Sequence, residues 1–471
     1  MIPLSVAEVA AFAGGTVTGA AADGARVTGP VVIDSRAAGP GALFAALPGE
    51  RVDGHDYAAA AAANGAAAVL AARPLPEISA PVIVVPDVTF ALGLLARAVL
   101  GRLPNATVVG ITGSSGKTST KDLTAQVVER LGPTVAPEGS LNNEIGLPLT
   151  VLRADEETRY LVLEMSARGI GHIAYLAGIA PPRIGAVLNV GRAHAGEFGS
   201  LDAVAKAKGE LVEALPAGSA GGVAVLNADD ANVSAMAART QARVVTTSVD
   251  AGREADVRAT ALTLDDLGRA SFTLHVGEVT APVALTLHGG HHVANALAAA
   301  AVAAELGMDV PAIADALTAA TARSRKRMEL HERADGVLVV NDAYNANPDS
   351  TRAAIEALAH LTSSGRRGIA VLGYMAELGE IAAESHAEAG RLAAQAGAAL
   401  IVAVGAGAEP VLDGARATEG WPGEALALPD PQAAVTALRS RLRPGDVVLV
   451  KASKSAGLWE VADGLLAEVP R

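Results

Sequence analysis

The chain has 471 residues, 50 acidic against 37 basic side chains, a net charge of −13 and no cysteine. That length exceeds what one core organises, so about three domains are expected. The missing cysteine excludes disulfides, thiolate nucleophiles and cysteine-ligated zinc or iron–sulfur centres, and the acidic balance without a basic stripe speaks against a nucleic-acid surface.

Residues 1–103 read as a small α/β unit. Glu8 and the lack of a basic region ahead of an apolar run do not resemble a signal peptide, and a cytoplasmic protein is expected. The pattern predicts a strand over Val31–Ile33 that ends in Asp34, Ser35 and Arg36. A Gly-Pro-Gly turn, an apolar run (Leu43–Leu47) and a charged loop follow, then an alanine-rich helix. Polar groups just past a strand end are placed to grip a ligand, with Arg36 on a phosphate or a base carbonyl and Ser35 as a hydrogen-bond donor. An ordinary turn with a surface ion pair is the alternative. Apolar residues make up 51% of the chain but aromatics only 3%, so the hydropathy is that of alanine. The most apolar stretches, residues 58–72 and 293–304, fall short of the ~18 strongly apolar residues of a membrane span.

Leu103, Pro104 and Asn105 read as a linker, and a second unit, residues 104–321, opens on TVVGITGSSGKTSTK. A β-branched run from Thr107 predicts a strand, glycines 110, 113 and 116 a turn, and Lys117 onward a helix. Such a turn aims free backbone N–H groups and the positive end of a helix dipole at one spot, which suits phosphates. The full P-loop pattern needs a glycine at 111, where the chain has Ile111, so the motif is the shorter Gly-x-x-Gly-Lys-Thr. Gly113, Ser114, Ser115, Gly116, Lys117, Thr118 and Ser119 are the candidate cradle, with Lys117 on the terminal phosphates and the Thr118 hydroxyl in a Mg²⁺ shell. A polar loop then carries Asn142 and Asn143. Glu164 follows a buried strand and His194 lies four residues beyond another. Ligands gather at the carboxyl ends of parallel strands, so threonine, carboxylate and imidazole converge on one cation site. Lys206 and Lys208, two apart on a predicted helix, point to different sides, so only one of them enters that site. Asn295 opens a long alanine-rich helix, its amide either reading an adenine edge or capping the helix.

The cluster Arg323, Arg325, Lys326 and Arg327 begins the third unit, residues 322–471, as a phosphate clamp, a hinge, or a solvated helix end. Regular strand–helix alternation then predicts a parallel sheet. Its first strand leads into Asp342-Ala-Tyr-Asn-Ala-Asn-Pro-Asp-Ser and its last into Lys451-Ala-Ser-Lys.

Taken together, the short loop TGSSGKTST, Asn142-Asn143, Glu164, His194, Lys208 and the His291…Asn295 segment resemble the Mur ligase family, which builds the peptide of peptidoglycan. Asp34-Ser-Arg with GxLFxAL, and DAYNANPDS, resemble the member that acts on a tripeptide. The resemblance implies an α/β protein of three domains: a small UDP-sugar-binding α/β domain, a central P-loop-type ATPase domain with a mostly parallel sheet, and a C-terminal Rossmann-like domain for the incoming dipeptide. It implies ligation of D-alanyl-D-alanine to UDP-N-acetylmuramoyl-tripeptide, with ATP and two Mg²⁺ ions, by a monomer without nucleic-acid partners or a membrane span. Lys117, Glu164, His194 and Lys208 would be catalytic, Lys208 as a carbamate made from CO₂. Thr118 would hold one metal ion, and Glu164, His194 and Lys208 the other. Asn295, Arg327 and Asp342 would contact the nucleotide. Ser35, Arg36, Asn142, Asn143, Asn345, Asn347 and Lys451 would contact substrate. Relatives of the same superfamily, such as folylpolyglutamate synthase or the preceding muramoyl-dipeptide ligase, are the alternatives. The chain departs from the family pattern at Tyr374, at His292 and in KASK.

Overall fold

The computed structural model describes residues 1–19, 24–49, 52–191 and 195–467. Thr107–Thr112 is an inner strand of a nine-stranded sheet, flanked by Tyr160–Glu164 on one side and Ile184–Val187 on the other. Beyond Tyr160–Glu164 lies only the short edge strand Thr134–Val135. On the other flank Val223–Asn227, Arg243–Ser248 and Val257–Leu264 continue in parallel, and Arg269–Val276 and Val279–His288 close the sheet antiparallel. The inner strands are buried on both faces, which is why TVVGIT and YLVLE read as continuous apolar runs and not as alternating ones.

One face of this sheet carries the helices Lys117–Val128 and His292–Glu305, packed on each other. The second is almost all alanine and valine, and its small side chains let the two helix axes come close. The other face packs against Leu201–Glu213 and merges with the core of the N-terminal unit through Val88–Gly101. Gly110 and Gly185 have a packing role here: a Cβ on either would lie 3.0 or 3.1 Å from Leu211, so their bareness lets the helix of Lys208 settle onto the strands.

The N-terminal sheet has five strands in the order Thr16–Thr18, Val82–Val84, Ala68–Ala71, Leu43–Ala45, Val31–Val32, the first antiparallel and the rest parallel. The C-terminal sheet has six: Glu329–Glu332, Leu338–Asp342, Val447–Lys451, Gly368–Gly373, Leu400–Val404 and Glu424–Leu428. Glu329–Glu332 is antiparallel and was not legible as a strand, because ELHE offers no apolar face. Two separate apolar clusters cover the two faces of this sheet. Among the described residues no helix is long and apolar enough to cross a membrane.

Candidate functional site

The carboxyl end of Thr107–Thr112 turns into the helix Lys117–Val128 through Gly116, which has φ 79°. A Cβ there would also lie 2.6 Å from Asn295 Oδ1, so both the backbone and the neighbouring amide require glycine. Two polar tethers fix the loop: the Ser115 N–H donates to Asn189 Oδ1 at 2.9 Å, and the Gly191 N–H to Ser114 Oγ at 2.8 Å. The Lys117 ammonium donates back to the Gly113 carbonyl at 2.7 Å. Burial lowers its pKa, Arg327 adds to that, and Glu164 opposes it.

Thr118 stands between two charges. Its hydroxyl donates to Glu164 Oε2 at 2.9 Å and accepts from Arg327 Nη2 at 2.9 Å. Glu164, 1% exposed, is the last residue of its strand, and its other oxygen accepts from Asn142 Nδ2 at 2.6 Å. Ser166 Oγ donates to Asn142 Oδ1 at 3.0 Å, which orients that amide. A hydroxyl and a carboxylate side by side are hard oxygen donors of the kind Mg²⁺ takes. Among the described residues no three histidine, aspartate or glutamate side chains converge on a metal position. His194 lies outside the described residues.

Lys208 is buried and Lys206 exposed, as a spacing of two on a helix demands. Burial pushes the Lys208 ammonium well below the ordinary lysine range, and the Lys117 charge adds to this. Asn295 sits in the first turn of a helix that begins at His292, and its amide does not cap that helix. Its Oδ1 accepts from Thr120 Oγ1 at 3.1 Å, and its Nδ2 lies 3.3 Å from His292 Nδ1. That nitrogen must be unprotonated to accept, and burial pushes the His292 pKa well down.

The C-terminal unit supplies the opposite wall. Asp342 ends its strand, accepting from the Met328 N–H at 3.1 Å and from Lys451 Nζ at 2.5 Å. Lys451 also donates to the Asn345 carbonyl at 3.1 Å. Asn347 caps the helix Pro348–Thr362 and donates to the Ser114 carbonyl at 3.3 Å, which ties that helix start to the loop. Ser119, Asn142, Glu164, Asn295, Arg327 and Asp342 share one cleft of about 330 Å³ with the loop.

Other expected contacts lie elsewhere. Asn143 Oδ1 accepts from the Gly146 N–H at 2.9 Å, so its carbonyl caps a short helix, while its side chain lines a second cleft of about 430 Å³ with Phe90, Arg168 and His172. Arg36 is exposed and bonded to Asp34, Nη2 to Oδ2 at 2.6 Å, and neither it nor Ser35 lines either cleft. Tyr374 stacks on His386 with centroids 5.4 Å apart. Sequence reasoning missed Asn189, Ser166 and Tyr344, whose hydroxyl is 2.6 Å from Ser140 Oγ. Asn189, two residues past a parallel strand, carried the same strand-end signal that marked Glu164.

Residues 111–303 match the Mur ligase middle domain, 326–454 the Mur ligase glutamate ligase domain, and 30–99 the Mur ligase family catalytic domain. A Mycobacterium bovis protein named UDP-N-acetylmuramoyl-tripeptide--D-alanyl-D-alanine ligase is 51% identical over 507 aligned residues, covering 99% of this chain and 98% of its own. Its Escherichia coli namesake is 38% identical over 90% of this chain and 91% of its own. A crystal structure of MurF from Acinetobacter baumannii superposes with a TM-score of 0.86 at 30% identity, covering 99% of each chain. MurF ligase from Thermotoga maritima, solved in complex with ADP, gives 0.79 at 30% identity over 93% of this chain and 97% of its own.

Proposed function

This chain belongs to the Mur ligase family, and on that premise we propose that it joins D-alanyl-D-alanine to UDP-N-acetylmuramoyl-tripeptide, converting ATP to ADP and phosphate. It is an ATP-dependent ligase of peptidoglycan synthesis that forms a C–N bond. The observation that carries the mechanism is the Thr118 hydroxyl held between Glu164 of the same unit and Arg327 of the next.

A carboxylate does not acylate an amine, so the γ-phosphoryl group passes to the terminal carboxylate of the tripeptide, giving an acyl phosphate and ADP. The dipeptide amine attacks the acyl carbon, phosphate leaves with the bonding pair, and the amine gives up a proton. Gly113 to Ser119 cradle the phosphates through backbone N–H groups, and Lys117 neutralises charge that builds on the transferring group. Arg327 closes on the phosphates from the third unit, Asp342 holds the ribose and Asn295 meets the adenine. Thr118, Glu164 and His194, with a carbamate on Lys208, are the groups that would hold two Mg²⁺ ions. Bound there, the ions would offset phosphate charge. The lowered pKa of Lys208 supports the carbamate, because only a neutral amine adds to CO₂, releasing one proton as the carbamate forms.

Asn142 and Asn143 guide the tripeptide between the two clefts, Ser35 and Arg36 hold the uridine diphosphate end, and Asn345, Asn347 and Lys451 position the dipeptide. Residues 1–103, 104–321 and 322–471 act as three domains that close on the substrates and keep water from the acyl phosphate. The enzyme works as a cytoplasmic monomer, in keeping with its nucleotide substrates and its lack of cysteine. The test is to incubate purified protein with ATP, Mg²⁺, the UDP-muramoyl tripeptide and D-alanyl-D-alanine and to weigh the product. A mass increased by the dipeptide less one water, with one phosphate released, is expected. Phosphate release that needs no dipeptide would overturn the reading.

A further inference from the structure

A second cavity is larger than the nucleotide cleft. It has a volume of about 720 Å³ and lies on the opposite flank of the helix Lys117–Val128 from Asn295, toward the edge strand Thr134–Val135. We propose that this cavity is a separate binding site for a small oligoanion, a molecule carrying two or more phosphate or carboxylate groups.

The charge of its walls runs against that of the molecule. The chain as a whole carries −13, yet the residues lining this cavity include four more bases than acids. Three bases are spent on neighbours: Lys121 on Asp122, Arg323 on Glu129 through two bonds of 2.5 and 2.6 Å, and Arg153 on Glu138 at 3.4 Å. Arg325, Lys326 and Lys454 remain, while Arg327 is turned onto Thr118 of the nucleotide cleft. Arg325 has only Glu329 at 3.8 Å, and among the described residues Lys326 and Lys454 form no ion pair. Three cations around one concavity repel one another, and an occupant with several negative groups relieves that repulsion. One floor of the site is aromatic, with Lys326 Nζ 3.9 Å from the Trp459 ring centroid. The volume is that of pockets that hold small organic ligands, roughly 300–1,000 Å³.

Tyr344 is the partition between the two sites, with Arg327 at 4.4 Å and Lys454 at 5.6 Å from its ring. The cavity's walls come from the phosphate-loop helix, from the segment 323–327, and from Lys454 and Trp459 of the C-terminal unit. An occupant therefore bridges two units and favours the arrangement in which Arg327 reaches Thr118.

Trp459 is one of two tryptophans, so Trp421→Phe leaves it as the sole reporter. With ADP and Mg²⁺ saturating, and ionic strength held constant with sodium chloride, that protein is titrated with fructose 1,6-bisphosphate and, separately, with citrate. A saturable change in Trp459 fluorescence is expected from at least one probe, and which probe responds separates phosphorylated from carboxylate ligands. Adding Arg325→Ala and Lys454→Ala, both exposed residues outside the catalytic cleft, is expected to weaken binding about tenfold or more while ADP affinity holds. No saturable change with either probe, an unchanged midpoint in the double variant, or competition with ADP would overturn the proposal.

Discussion

Arg327→Ala probes the link between the two nucleotide-facing units most directly. The guanidinium makes one bond to Thr118 at 2.9 Å and rests on the Tyr344 ring at 4.4 Å. In the proposed reaction that bond is exchanged for one to phosphate, a charge-assisted contact worth about 1.5–3 kcal/mol. At about 1.4 kcal/mol per decade this predicts a loss of roughly 10- to 150-fold in kcat/KM for ATP. The folded state loses little, below about 1 kcal/mol, because the side chain is half-exposed and its ring contact is worth about 0.5–1 kcal/mol. Arg327→Lys keeps the charge and loses the fork, so it should fall between wild type and alanine. The assay is phosphate release at saturating tripeptide and dipeptide, with ADP affinity by calorimetry and stability by urea titration. A kcat/KM within about threefold of wild type, or a loss matched by collapse of the urea midpoint, would refute the reasoning.

Glu164→Gln keeps the shape and removes the charge beside Thr118, so turnover should drop about 10²- to 10³-fold, and the Mg²⁺ concentration for half-activity should rise; an unchanged Mg²⁺ dependence would remove Glu164 from the metal shell. Lys208→Ala should abolish turnover, partly restored by millimolar short carboxylic acids, and equal activity of variant and wild type would end the carbamate role. The lowered pKa of Lys208 also sets a pH slope: between its folded value and the ordinary ~10.4 the unfolded chain holds a proton the folded chain lacks, so stability climbs as pH rises through that window. Urea midpoints in CO₂-free buffer between pH 7 and 9 should climb more steeply for wild type than for Lys208→Met. Ala261 has φ 52° at a register shift in an exposed strand, and Ala261→Gly should raise stability by about 0.5–1 kcal/mol, read as a higher urea midpoint.

The loop at 113–119 was legible because its signal is local: a buried strand, glycines and a helix start are contiguous, and one turn delivers them to one place. Glu164 was legible for the related reason that a parallel sheet sends every strand end to the same edge. The two antiparallel strands Arg269–Val276 and Val279–His288 alternate in burial, the period of two that an apolar–polar alternation encodes. Asn143 and Asn347 show where sequence stops informing: a short amide reads the same whether it caps a helix or faces a ligand, and here both spend their Oδ1 on helix starts. The edge strand Thr134–Val135 has only two residues, too few for any period to show. Segment 323–327 read as a phosphate clamp, a hinge or a solvated helix end; it lies outside any helix, and the residues holding it lie about two hundred positions earlier, a separation no local pattern encodes.

Those distant partners bear on how closure becomes chemistry. Asp122 lies on the helix that starts with Lys117 and Thr118, and Glu129 is the C-cap of that helix; Asp122 Oδ2 accepts from the Ser324 N–H at 3.0 Å, and Glu129 holds Arg323. Lys326 and Met328, on either side of Arg327, have φ of 63° and 50°, a conformation that costs about 1–3 kcal/mol per non-glycine residue. Their amides are compensated by Glu329 Oε2 at 2.8 Å and Asp342 Oδ1 at 3.1 Å. Asp342 is the residue proposed to bind the ribose, so nucleotide capture, the strained backbone and the aim of Arg327 share one carboxylate. Met328 and Asp342 belong to the same unit and move together, so a swing of that unit strains the bonds of Arg323 to Glu129 and of Ser324 to Asp122, the contacts that hold Arg327 within reach of Thr118. On the proposed mechanism the acyl phosphate forms only where both units have met, the arrangement that would also keep water from it.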